Sequence, residues 1–293
     1  MVFSYKDCIE FIAYLGYDAN TEEGALNMLC VQGCKSVDAQ NSVVGSNDLR
    51  RVENVPDQYN DTIILLSKEN GQPKISCLLG TVDPGKYYTV TDPNPKGAAH
   101  LTFGQHWYVS GMHKGNLALR ALNEKNRVWR DKDGDFQPDT NEMVYEGAYG
   151  VNIHAGGKGQ YIGKWSAGCI NICGGYDGKP YKAFLDAINL HGHCNNGSIG
   201  VTIWRSIDLF KFRDDQLEQP TIVLGMKGIW VTRMQEHLKH IDNSIIADGD
   251  FGSKTMKALV AFQTNSGLEA DGWCGPATWF AMTGVKDSFL LGG

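Results

Sequence analysis

Long apolar runs are missing from this chain, so no segment reads as a membrane-spanning helix and no membrane insertion is expected. Positive charge is short too. Twenty-seven Lys and Arg stand against 33 Asp and Glu, for a formal net charge of -6. That balance lacks the basic surface needed to neutralise phosphates, which excludes nucleic acid as a partner. Cysteine is thin: Cys8, Cys30, Cys34, Cys77, Cys169, Cys173, Cys194 and Cys274 lie scattered over 293 residues. A small secreted disulfide scaffold would be far denser, so mostly free thiols are expected. A zinc site from Cys169, Cys173, His191, His193 and Cys194 is a weak alternative, because no second cysteine pair completes it. The first residues have no signal-peptide character, so the chain is expected to stay in the cytoplasm that makes it until something releases it. What remains is 42% hydrophobic and 20% charged, an ordinary globular composition long enough for two domains. Nothing in it requires more than a monomer.

Taken in order, residues 1–60 predict a helical N-terminal segment packed on the neighbouring domain. Ser4 and Asp7 form a capping pattern ahead of Cys8, Ile9, Phe11, Ile12 and Leu15, and a second helix is expected from Thr21 to about Gly33. From Asp61 the period changes to strands, Thr62–Leu66 and Lys74–Leu79 around an Asn70-Gly71 turn. His100, His106, Trp107, Tyr108 and His113 then cluster within fourteen residues. Such amphipathic rings suit a sugar or peptide groove, so His106, Trp107 and His113 are candidate substrate contacts.

Asp131, Asp133, Asp135, Gln137, Asp139 and Glu142 reproduce the oxygen spacing of a calcium loop, with Asp131, Asp133 and Asp135 the leading ligands. Phe136 stands where such a loop needs glycine, and a solvated acidic turn is the competing reading. No cofactor is otherwise required. Glu142 and Glu146 lie just before a strand ending in His154, which makes them candidate catalytic carboxylates.

The most reactive stretch is Val151–Ile172. Val151 with Ile153, and Ile170 with Ile172, alternate like strands; pairing them would bring His154 and Cys169 to one sheet end beside a glycine-rich loop. A cysteine attacks as thiolate, and an adjacent histidine is the usual way to obtain one near neutral pH. Gly168 lets the backbone turn its N–H groups toward an oxyanion. His154, Ser166, Gly168, Cys169, Ile170 and Asn171 match in order the signature of the L,D-transpeptidases of the YkuD type, which this stretch resembles. Ala167 replaces that signature's second histidine, and the spacer after His154 is shorter. The resemblance implies a mostly-β catalytic domain over 61–213 and a cysteine acyl-enzyme formed on the stem peptide of peptidoglycan, with Asn171 near the substrate. Ser166 or a nearby carbonyl would orient the imidazole. Arg205, at a strand end, is a candidate for a substrate carboxylate.

A polar, proline-closed break at 214–221 reads as a linker. Beyond it the pattern DGxxGxxT occurs at Asp248–Thr255 and again at Asp271–Thr278, each opening a helix, with Ser253 as a cap and Pro276 at a first turn. Residues 222–285 resemble the three-helix peptidoglycan-binding domain through these turns, Gln235 with Leu238, and Phe262-Gln263. Asp248, Asp250, Asp271 and Trp273 would then contact the wall. The fold class expected is α+β: a mostly-β L,D-transpeptidase-like domain with N-terminal helices and a small all-α C-terminal domain. Both resemblances point to bacterial peptidoglycan and an endolysin-like, bacteriophage-type lytic enzyme. Its expected location is then a host bacterial cytoplasm until release to the cell wall. A lysozyme-type muramidase using Glu142 or Glu146, and a non-catalytic wall-binding protein, are the alternatives.

Overall fold

The computed structural model describes residues 1–40, 43–91, 94–123, 125–138, 142–147, 149–191 and 197–284, without the His191 side chain. Helix α1 (Tyr5–Tyr14) comes first, then β1 (Leu26–Gln32), β2 (Cys34–Ser36), β3 (Leu49–Arg51), β4 (Asp61–Glu69) and β5 (Gln72–Thr81). A π-helical turn at Tyr87–Thr91 precedes β6 (Ala98–Leu101), β7 (Gly104–His113), β8 (Asn116–Ala121), β9 (Arg127–Asp131) and β10 (Val144–Glu146). Two short strands follow, β11 (Ile153–Ala155) and β12 (Ile170–Ile172), then α2 (Lys179–His191), β13 (Ile199–Arg205) and α3 (Ser206–Arg213). The last part holds α4 (Ile229–Lys239), α5 (Ser253–Asn265) and α6 (Pro276–Thr283).

Eight strands close a barrel in the order β1-β13-β7-β8-β11-β12-β5-β4. Closure removes the unpaired strand edges that would otherwise recruit other chains. Its interior is filled by Leu26, Met28, Cys30, Ile63, Leu65, Leu78, Tyr108, Leu119, Ile153, Ile170, Val201 and Ile203, and Tyr181, Phe184 and Ile188 of α2 join that core. Leu29, Val31, Ile64, Leu66 and Trp204 point outward from the same strands into a second core shared with Phe11, Leu209, Trp230, Met234, Phe251, Leu259 and Trp279.

That double burial explains a correction. Residues 21–33 are not helical: Leu26–Gln32 is β1, parallel to β13 and antiparallel to β4. With both faces buried the strand shows no alternation, and its continuous apolar run mimics a helix. The N-terminal segment therefore supplies a central barrel strand. Among the described residues there only α1 is an α-helix, opened by the Ser4–Asp7 capping box. The stretch after Arg213 is likewise tied down, since Thr221 N–H donates to Asp208 and the Trp279 indole to Pro220 O.

The C-terminal helices enclose one hydrogen-bond motif built twice. Gln235 Nε2 reaches Asp248 Oδ1 (2.9 Å), Asp250 O (3.0 Å) and Thr255 Oγ1 (3.1 Å), and its Oε1 accepts Gly249 N–H (2.8 Å). Gln263 Nε2 reaches Asp271 Oδ1 (2.8 Å), Trp273 O (3.0 Å) and Thr278 Oγ1 (3.2 Å), and its Oε1 accepts Gly272 N–H (2.9 Å). The DGxxGxxT repeat is thus the outer half of a glutamine-centred clamp. Asp248 and Asp271 are spoken for inside it. Gly252 rather than Ser253 caps α5, and Pro276 opens α6.

Candidate active site

Strands β11 and β12 pair in parallel, Ile153 with Ile170, His154 with Asn171 and Ala155 with Ile172. Ile153, Ala155, Ile170 and Ile172 enter the barrel core, so His154 and Asn171 share the opposite face. The turn before β12 is held by Ser166, whose hydroxyl donates to Cys169 O (2.7 Å) and accepts Gly168 N–H (3.0 Å). Gly168 sits at φ 138°, and a Cβ there would meet Ala99 O at 2.5 Å, so only glycine fits.

Cys169 is half-buried. Its Sγ accepts Asn152 N–H and donates to Gly150 O, both at 3.4 Å. No hydrogen bond joins it to His154 among the described residues. His154 Nδ1 bonds Ala155 O at 2.7 Å, which assigns the proton to Nδ1 and leaves Nε2 as the basic lone pair, 3.4 Å from Asn171 Nδ2. A neighbouring carbonyl therefore orients the ring, and Ser166 does not. Burial, with His113 and Lys114 nearby, pushes His154 down to about 4. Burial raises the Cys169 thiol, against the Asn152 N–H and the Lys114 charge, which lower it. At rest both partners are neutral.

His113 comes into this site rather than into a remote wall. Its ring stacks on His154 at 4.6 Å, and its Nδ1 lies 3.0 Å from Asn152 Nδ2. Asn152 was missed in the sequence, although it shares the polar alternation Val151-Asn152-Ile153-His154 with the histidine. Trp165, exposed on the glycine loop, faces Tyr176 at 6.3 Å and covers Gly157, where a Cβ would meet its Nε1 at 2.6 Å.

The other candidates disperse. Glu146 sits where the C-terminal helices meet the barrel, ion-paired with Lys227 and 3.7 Å from Arg127 Nε, and Lys227 holds its carboxyl below the usual range. Glu142 is buried and accepts Lys132 N–H (3.1 Å) in the acidic turn. His106 is buried, with Nε2 2.8 Å from Thr102 O, and desolvation pushes it down to about 4. Arg205 stacks on Trp273 at 4.7 Å instead of facing the cysteine. Asp250 pairs with Arg127 at 2.8 Å.

In the acidic turn, ligand atoms of Asp131, Asp133 and Glu142 converge within 4.8 Å. Asp135 instead accepts Gln137 N–H at 2.7 Å, so it departs from the calcium-loop pattern. Asp139 lies outside the described residues, as do His193 and Cys194 of the zinc alternative. Behind the turn, His100 lies 3.3 Å from Asp131 and 4.0 Å from Asp83, all buried. The Asp131 contact is close but poorly aligned for a hydrogen bond.

Residues 230–282 match the peptidoglycan binding domain family. No curated protein matches the chain. The crystal structure of a Burkholderia AP3 phage endolysin is similar over 23% of this chain, at 38% identity and a TM-score of 0.22. The matched part is 27% of that protein's length. The C-terminal part of this chain thus carries a peptidoglycan-binding domain.

Proposed function

We propose that this chain is a peptidoglycan-degrading, endolysin-like enzyme that cleaves the stem peptide through Cys169. The observation that carries the reading is the parallel pairing of β11, which holds the buried His154, with β12, which Cys169 immediately precedes, in a chain that also holds a wall-binding domain. On rotation of the cysteine side chain, His154 Nε2 takes the thiol proton, and the thiolate attacks the peptide carbonyl. The Cys169 N–H, which has no hydrogen-bond partner among the described residues, is the oxyanion donor. The imidazolium returns its proton to the leaving amine, and water, deprotonated by His154, hydrolyses the thioester. Lys114 favours the thiolate throughout.

The wall-binding domain raises the local substrate concentration. Mass spectrometry of fragments released from purified peptidoglycan tests the reading. New stem-peptide termini are expected from the wild type and not from Cys169→Ala. New reducing sugar ends that persist in the mutant would overturn it.

A further inference from the structure

The chemistry at Cys169 leaves the far end of β7 unused, and a built groove lies there. Where the barrel meets the C-terminal helices, a cleft of 280 Å³ is lined by Tyr17, Phe103, Trp107, Arg127 and Lys227, among others. A second opening of 720 Å³, bordered by Asp18, Asn27, Ser198 and Gly200, lies on the other side of Trp107. Trp107 and Lys125 line both.

Trp107 is fixed as if for display. His106 and Tyr108 on either side are buried, so the indole projects from the barrel and stays half-exposed. Buried Asn126 clamps its backbone from both sides, accepting Trp107 N–H at 3.1 Å and donating to Trp107 O at 3.0 Å. The indole tip extends over Gly200, where a Cβ would lie 3.7 Å away, and Lys125 Nζ stands 5.4 Å from the ring. A tryptophan needed only for packing would not be pinned between two openings.

The groove's chemistry selects the ligand. At the junction end Arg127, Lys227, Glu146 and Asp250 neutralise one another. That leaves Lys125 and Asp18, one charge of each sign, on a surface otherwise of ring, amide and hydroxyl. Such a surface suits a neutral, polar ligand with apolar C–H faces more than an acidic stem peptide. From Trp107 to His113 the strand advances six residues, roughly 20 Å at about 3.3 Å each. We propose that the Trp107 groove binds the N-acetylated glycan strand of the wall, holding the backbone while its peptide branch reaches Cys169. This rests on the stem-peptide reading above.

The test uses the full chain carrying Cys169→Ala, titrated with chitotetraose and with wall glycan stripped of its peptides. Adding Trp107→Ala should weaken both by at least about tenfold, while Trp107→Phe, which keeps a ring, retains most of the affinity. In the active protein, Trp107→Ala should slow release from intact wall more than it slows hydrolysis of a soluble, glycan-free stem peptide. Unaltered glycan affinity in folded Trp107→Ala overturns the groove. Failure of the active protein to cut any stem peptide overturns the cysteine reading instead, and the titration still decides the groove.

Discussion

At the scale of single residues, the neutral pair has consequences in pH. With the thiol raised and His154 near 4, alkylation of Cys169 by iodoacetamide should climb steadily past the ordinary thiol range near 9. A plateau near neutrality would show a preformed thiolate–imidazolium pair. The same rings affect stability. His154 and His106 stay neutral in the fold down to about 4, while the unfolded chain protonates them near 6.5. Below 6.5 the unfolded state binds more protons, so stability falls as pH drops from there toward 4, by on the order of 3 kcal/mol per ring. Urea unfolding at pH 7 and pH 4.5 measures it, and His106→Gln should shrink the difference.

At the scale of elements, the turn at Gly168 and the glutamine clamps are the features a single change would break. Gly168→Ala drives a methyl into Ala99 O at a positive φ, so a loss of about 2 kcal/mol or more and near-complete loss of turnover are expected. Gln263→Ala strips a buried donor from three acceptors and orphans Gly272 N–H; thermal unfolding should register about 2–4 kcal/mol. Gln235→Ala should match it, because the network is the same.

These elements also show what a sequence discloses. The capping box, the Asn70-Gly71 turn (both residues at positive φ), β4, β5 and the repeated turns were legible because each has a local chemical cause. The candidate pair was legible through the two short alternations. Strand β1 was not, since burial on both faces erases its period. The resting hydrogen bonds of Cys169 were not either, because they come from Gly150 and Asn152 backbone atoms that any residue type supplies. The roles of Arg205 and Glu146 depended on contacts with the C-terminal helices, which no local pattern encodes.

At the scale of the whole molecule, the wall-binding helices are not tethered loosely. Tyr14 packs on Trp230 at 5.2 Å, nearby Tyr17 donates to Lys227 O, and Arg127 bridges to Asp250. The apolar core runs through both parts. Calorimetry should therefore give one cooperative transition, and a chain cut after Gln219 should lose stability as well as wall affinity. Two separate transitions, with an unshifted first one, would contradict the shared core.

Barrel closure also constrains how the protein is made. Strand β1, made long before β13, must wait for that strand before its second edge is covered. Until Arg205 has emerged, the nascent chain holds an open sheet and an exposed apolar strand, the condition in which long-range β pairing is slow and association with other chains competes. Production should therefore reward slow synthesis at low temperature, and a chain truncated before Ile199 should accumulate as aggregate.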